Sequence, residues 1–238
     1  MMVVLIACGA LAATLLGGFF ALKFKDSLHL ILGFSAGAVI GVAFFDLLPE
    51  ALDLSGTSYG TSTMTGVVAL GFILYLFLDR VVILHAHADE DGHGARGSLG
   101  AGSLSIHSFL DGAAIGLAFQ VSVAVGAIVA AAVLVHDFSD GINTVNLVLK
   151  NGGSFKKALR WLIVDAIAPV VGIISTSFFT VSGRALGLLL ATFCGFFLYI
   201  GASDLLPESH HRHATIGTTL MTALGIGVLY GAVTLAGL

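Results

Sequence analysis

The chain has 238 residues, of which 57% are hydrophobic and only 10% are charged, and its formal net charge is −4. A soluble globular domain carries about 25% charged residues, and the mean hydropathy of this chain is +1.03. This composition excludes a soluble domain or a nucleic-acid-binding module and predicts an integral membrane protein whose surroundings are a lipid bilayer.

Eight apolar stretches follow one another along the chain, each near the ~20 residues that a spanning helix needs. We predict an all-α membrane protein, an eight-transmembrane-helix bundle that forms a single transmembrane domain over 1–238. The first stretch has no basic segment before it, so we expect a retained spanning helix and not a cleaved signal peptide. The predicted spans 1 to 8 cover 3–22, 28–50, 64–86, 102–121, 123–149, 158–180, 185–207 and 215–237.

The positions of Lys and Arg predict the orientation of the spans. With eight spans, both termini lie on one side of the membrane. Nine of the 10 Lys and Arg residues lie on the opposite side, and only Arg184 lies on the side of the termini. Because basic residues favour the cytoplasmic side, we predict that both termini lie outside the cytoplasm, most simply in a plasma (inner) membrane.

Two predicted cytoplasmic segments are rich in histidine. The segment 87–98 between spans 3 and 4, with the His and acidic residues of 85–93, forms a short polar loop, and 209–213 follows span 7. Histidine-rich tracts bind metal ions in some proteins, whereas most charged runs are simply solvated. The sequence leaves both interpretations of these segments open.

Spans 4 and 5 contain a near-duplicate motif, HSFLDG at 107–112 and HDFSDG at 136–141. In each copy a His and an Asp are four residues apart, so they share one face of a helix. Ionisable side chains at membrane depth are costly and usually mark an ion or substrate path. Two imidazoles and two carboxylates suit zinc, iron, manganese or nickel. The candidate metal ligands are His107, Asp111, His136 and Asp140.

Further polar side chains in spans 4 to 6 extend this candidate site. Asp137 and Asp140 are expected to hold a second ion, with Asp111 between them and Ser108 adding an oxygen. Asp165 in span 6 either lines the metal path or pairs with a Ser, an Asn or a basic residue, because a buried carboxylate needs a partner or a cation.

A second repeat relates spans 2 and 7, which both end in the letters DLLPE, at 46–50 and at 204–208. These two spans run in opposite directions, as do spans 4 and 5. We therefore predict an inverted 3+2+3 repeat with spans 4 and 5 at its centre, a recurrent plan of transporters. The acidic residues of the two DLLPE motifs either guard the mouths of a path or are ordinary interfacial carboxylates.

The paired motifs of spans 4 and 5 resemble the ZIP family (zinc-regulated, iron-regulated transporter-like proteins). The eight spans, the outside termini and the histidine-bearing loop are similar to that family over essentially the whole chain. The resemblance implies a binuclear metal site and cation uptake toward the cytoplasm. It places His107, Asp111, His136 and Asp140 in a first site and Ser108, Asp111, Asp137, Asp140 and Asp165 in a second. Bacterial members often have Glu, preceded by Pro, where this chain has Asp.

We therefore predict a transporter, not an enzyme, that moves divalent transition-metal ions, zinc first and iron, manganese or cadmium as alternatives. An intramembrane zinc-dependent hydrolase is the second hypothesis, since the same residues could supply three ligands and a base. Against it, HExxH is absent and the carboxylates spread across the whole membrane depth. A metal-efflux carrier is the third hypothesis. The sequence leaves open whether the chain is a carrier or a channel, and whether it forms a homodimer.

Overall fold

In a computed structural model of the chain, the described residues are 2–23, 28–56, 58–88, 93–210 and 215–236. The side chains outside this description are those of 81–88 and 93–96 and of Lys23, Leu28, Lys150, His210 and Ala236. The two histidine-rich segments therefore fall wholly or partly outside the described residues and side chains. Metal binding by these segments stays a prediction.

The regular structure of the described residues is helical, and eight helical stretches are long and apolar enough to cross a membrane. This confirms the predicted all-α class and the number of spans. The apolar side chains of spans 1, 3 and 8, among them Leu70, Phe77 and Leu224, are largely exposed, as suits a surface that faces lipid. The helices are Met2–Lys23 (span 1), Leu28–Val42 and Leu48–Ser55 (span 2), Thr61–Ala88 (span 3), His93–Val121 (span 4), Val123–Lys150 (span 5), Phe155–Ser175 (span 6), Gly183–Tyr199 and Leu206–His210 (span 7) and Ile216–Ala236 (span 8).

The spans form two packed groups. Spans 1, 4, 5 and 6 make the first bundle, in which span 4 packs along spans 5 and 6 while span 1 packs along spans 5 and 6. Spans 2, 3, 7 and 8 make the second bundle, in which span 2 packs along span 8 and span 7 packs along spans 2 and 3. The main contacts between the bundles join span 2 to span 5 and span 3 to span 4.

Glycine allows the closest crossings inside the first bundle. A Cβ atom at Gly112 would collide with the backbone carbonyl of Pro169, and one at Gly141 would collide with that of Thr14. Small residues at such points let helix backbones touch, which is how helices in lipid associate tightly. Both glycines directly follow a candidate metal ligand, so the crossings hold the motif-bearing spans 4 and 5 against spans 6 and 1. The second bundle has equivalent crossings between Gly37 and Gly225 and between Gly71 and Gly195.

Each DLLPE motif begins inside a π-helical turn, Ala43–Leu47 in span 2 and Ile200–Leu205 in span 7. π-helical turns are rare and often lie at functional sites. The helix packing follows the same pairing when spans 1, 2, 3 and 4 are matched with spans 6, 7, 8 and 5. The close pair of spans 4 and 6 then corresponds to that of spans 5 and 1, and the close pair of spans 2 and 8 corresponds to that of spans 7 and 3. Both features favour the inverted repeat, which stays a prediction.

Candidate metal site

The four candidate ligands from spans 4 and 5 lie together in the interior of the first bundle. His107, Asp111, His136 and Asp140 are each at most 4% exposed, and one nitrogen or oxygen from each lies within 4.8 Å of the others. The i, i+4 spacing on two antiparallel helices produces this cluster, because it turns one His and one Asp of each helix toward the other.

The distances inside the cluster match the size of a zinc ion. Zinc binds nitrogen and oxygen at about 2.0–2.2 Å, so ligand atoms on a tetrahedron around it lie about 3.3–3.6 Å apart. His107 Nε2 is 3.1 Å from Asp111 Oδ2 and 3.4 Å from Asp140 Oδ2. His136 Nε2 is 3.0 Å and 4.0 Å from the same two oxygens. The four atoms therefore need only small adjustments to surround one such ion.

The two imidazoles are oriented by different partners. The Nδ1–H of His136 donates to the backbone carbonyl of Ala132 in its own helix, at 3.1 Å, so that its Nε2 faces the cluster. Nδ1 of His107 lies 2.7 Å from the hydroxyl of Tyr75 in span 3. A hydrogen bond at one ring nitrogen fixes the tautomer and the angle of the other, which is the usual support for a metal-binding histidine.

Asp137 is fully buried beside the cluster, and neither of its carboxylate oxygens has a hydrogen-bond partner among the described residues. It interacts electrostatically with His136, which attracts it, and with the three carboxylates of Asp111, Asp140 and Asp165, which repel it. A buried carboxylate without a partner is costly unless a proton or a cation neutralises it. The buried residues that the structure describes include no Lys or Arg. A metal ion is therefore a fitting counter-charge at this position.

The structure places Asp165 beside the cluster and gives it two hydroxyl partners. Ser108 Oγ donates to Asp165 Oδ1 at 2.8 Å, and Thr144 Oγ1 donates to Asp165 Oδ2 at 2.7 Å. Sequence reasoning considered the Ser pairing but missed Thr144. Thr144 continues the stripe of His136 and Asp140 by a further four residues, and this spacing was a signal that could have found it.

The acidic residues of the two DLLPE motifs differ in burial. Asp46 in span 2 is 3% exposed, and its Oδ2 has no hydrogen-bond partner among the described residues. Glu50 is half-buried, whereas Asp204 and Glu208 of span 7 are exposed. The two repeats therefore present their carboxylates differently in this conformation.

Comparison with known proteins finds similarity to zinc transporters. The family model described as "ZIP Zinc transporter" matches residues 92–238, which include spans 4 to 8 and the whole cluster. The chain is 30% identical over 208 residues to the zinc transporter ZupT of Corynebacterium efficiens, a match that covers 77% of each chain.

Two eukaryotic relatives are longer than this chain. Identity to the zinc transporter YKE4 of Saccharomyces cerevisiae is 26% over 220 residues, covering 79% of this chain and 63% of the yeast protein. Identity to the zinc transporter foi of Drosophila melanogaster is 30% over 121 residues, covering 51% of this chain and 17% of the fly protein. A family model that matches more than half of the chain, with a bacterial relative matched over most of both lengths, shows that this chain belongs to the ZIP zinc transporter family.

Proposed function

We propose that this protein carries divalent transition-metal ions, zinc foremost, across a membrane and toward the cytoplasm. The observation that carries the proposal is the buried cluster of His107, Asp111, His136 and Asp140, whose ligand atoms have the spacing of a tetrahedral zinc site. Relatives named as zinc transporters support zinc as the preferred ion. Iron, manganese and cadmium are competing substrates, because this ligand set discriminates poorly between them.

A second ion site is proposed beside the first. Asp137 supplies two oxygens without protein partners among the described residues, and Asp140 Oδ2 also has none by hydrogen-bond geometry. Ser108 and Asp165 would complete the site, but Asp165 is already bonded to Ser108 and Thr144. Each Asp165 oxygen keeps a further lone pair, but a second ion would have to share these oxygens with the two hydroxyl donors, so we expect this site to be weaker than the first.

The direction of transport is proposed from charge. Nine of 10 Lys and Arg residues lie on one side of the eight-span arrangement, which we take as cytoplasmic, with both termini outside. The separation into two bundles supports a carrier mechanism over a fixed channel. All four proposed ligands belong to the first bundle, so displacement against the second bundle would move the ion without dismantling its site.

The hydrolase hypothesis is not supported. The relatives described above are named zinc transporters. The four ligand atoms of the cluster lie within 4.8 Å of one another, and their residues are at most 4% exposed, so the cluster is enclosed by protein and suits a small ion better than a larger substrate.

The experiment that tests the proposal measures zinc entry into liposomes that contain the purified protein and a zinc-sensitive dye. The double variant His107→Ala with His136→Ala removes both imidazoles, and His29→Ala in span 2 is the matched control outside the cluster. We expect the control to transport zinc like the unaltered protein and the double variant to lose transport and tight zinc binding. Absence of flux for zinc, manganese, iron and cadmium from well-folded unaltered protein would refute the transport proposal.

A further inference from the structure

Polar contacts between the two bundles are few among the described residues, and one of them reaches the metal cluster directly. Tyr75 belongs to span 3 of the second bundle, and its hydroxyl oxygen lies 2.7 Å from Nδ1 of His107 in the first bundle. A second such contact joins Ser35 of span 2 to Ser139 and to the Val135 carbonyl of span 5. Of these two contacts, the one made by Tyr75 involves a side chain of the cluster.

A metal ion on His107 would determine which of the two residues donates the hydrogen bond. His107 Nε2 faces Asp111 Oδ2 at 3.1 Å and is therefore the nitrogen that would bind metal. With metal on Nε2, Nδ1 carries the hydrogen and donates it to the oxygen of Tyr75. This second bond sets the angle of the ring and makes Nε2 a better ligand, as partners of metal-binding histidines generally do.

Tyr75 is itself held in place by span 7. Its ring makes edge contacts with Phe196, at a centroid distance of 5.3 Å, and packs at 5.3 Å against Tyr199. The Tyr199 ring supports Tyr75 through this packing, whereas the Tyr199 hydroxyl hydrogen-bonds with neither Tyr75 nor His107 and donates to Asp79 of span 3 at 2.9 Å. The position of the Tyr75 hydroxyl is thus determined by the second bundle, and His107 is in contact with it at a ring-centroid distance of 5.8 Å.

His136 provides an internal comparison. Its Nδ1–H bonds to Ala132 in its own helix, so its orientation travels with span 5 wherever that span moves. His107 has its partner in the other bundle. The two imidazoles occupy equivalent places in the repeated motif, but they contact the second bundle differently. His107 lies within hydrogen-bond distance of Tyr75 in that bundle, whereas His136 has its Nδ1 partner in its own helix and contacts the second bundle through the ring of Phe197, at a centroid distance of 5.9 Å.

We propose that Tyr75 is a positioning residue for His107, and that through it the affinity of the metal site depends on the relative position of the two bundles. This inference rests on the proposed metal-transport function. When span 3 lies beside span 4 as in this structure, His107 is held for binding. When the bundles shift, His107 loses its partner and the ion is held less tightly, which favours release.

The test compares zinc binding by purified full-length protein in detergent for Tyr75→Phe and for Tyr199→Phe. Each variant removes one hydroxyl from the same aromatic cluster and keeps the ring, but only Tyr75 contacts His107. We expect Tyr75→Phe to raise the Kd for zinc about 10–100-fold and to change the visible absorption of bound Co²⁺. Tyr199→Phe should leave both unchanged. Equal effects of the two variants, or none for Tyr75→Phe, would overturn the proposal.

A double-variant cycle separates this inference from the proposed function. If Tyr75 acts through His107, adding Tyr75→Phe to His107→Ala changes the zinc Kd no further, because interacting residues are not additive. Full additivity of the two changes would refute the positioning role. If His107→Ala alone leaves zinc binding unchanged, the proposed metal site itself is wrong, which is a different outcome from a failure of Tyr75→Phe alone.

Discussion

A substitution at Gly141 tests whether the close packing of spans 1 and 5 determines the geometry of the metal cluster. In Gly141→Ala, the new Cβ atom would meet the carbonyl carbon and oxygen of Thr14 and the backbone nitrogen of Gly18. All three nearest atoms belong to backbone, so no change of side-chain rotamer relieves the collision. Span 5 has to move away from span 1, and Asp140, the neighbouring residue, moves with it.

The size of the effect follows from the packing. Adding a methyl group to a well-packed interior costs about 1–3 kcal/mol, and each kcal/mol lowers the Tm of a chain of this size by roughly 2–4 °C. We therefore expect a fall in Tm of about 2–12 °C. Metal sites tolerate errors of only about 0.2 Å in ligand distance, so we also expect zinc affinity to fall at least about tenfold.

The assay is thermal unfolding in detergent together with zinc binding, each measured with and without zinc. Gly227→Ala is the matched control, since a Cβ atom there would meet no atom within 4 Å. The control makes the same Gly-to-Ala change in a spanning helix, where Ala is the better helix former by about 1 kcal/mol. If Gly141→Ala were as stable as Gly227→Ala and bound zinc equally well, the close crossing and its link to the site would both be refuted.

Three further predictions follow from single contacts. Asp137→Leu removes two buried oxygens that have no hydrogen-bond partner among the described residues. Because each such group costs about 1–3 kcal/mol, we expect the metal-free variant to have a higher Tm than the unaltered protein and the variant to bind one zinc ion fewer. A lower metal-free Tm would contradict this account. Ser35→Ala removes the 2.9 Å contact with Ser139 between the bundles. Bonds between helices in lipid are worth about 0.6–1.7 kcal/mol, so we expect the initial rate of zinc uptake to change by up to about 20-fold, while an altered zinc Kd would argue against this account. Gln120→Ala removes three hydrogen bonds to the segment 176–181, which connects spans 6 and 7. We expect proteinase K to cleave this segment faster in the variant. An unchanged rate of cleavage would show that the three bonds do not hold the segment.

The sequence predicts the part of the site that depends on helix periodicity. The i, i+4 spacing of His107 with Asp111 and of His136 with Asp140 is a property of single helices, so the shared faces follow from the chain itself. Two such faces in consecutive spans then meet, because a one-residue connection at Ser122 makes the helices neighbours. The eight spans are predicted for the same reason, since length and hydropathy are local properties.

The residues that orient the metal ligands lie far from those ligands in the sequence, so no local sequence pattern predicts them. Tyr75 precedes His107 by 32 residues and belongs to a different bundle, so no spacing rule connects the two. The π-helical turn at Ala43–Leu47 also has no signature in composition. Both depend on which helices pack together, and hydropathy carries little information about that because all eight spans are apolar.

The interleaving of the two bundles along the chain has a consequence for biosynthesis. Among the described residues, span 1 packs mainly along spans 5 and 6, span 2 along spans 7 and 8, and span 3 along span 7. Spans 1 to 3 therefore have almost no contacts with one another. Each of them gains its main packing partner only when a later span has been translated and inserted. Stable single helices can wait in this way before they associate. The four proposed metal ligands come together only after span 5 is inserted, because they belong to spans 4 and 5. A ribosome stalled before span 4 would leave three helices with almost no contacts to one another.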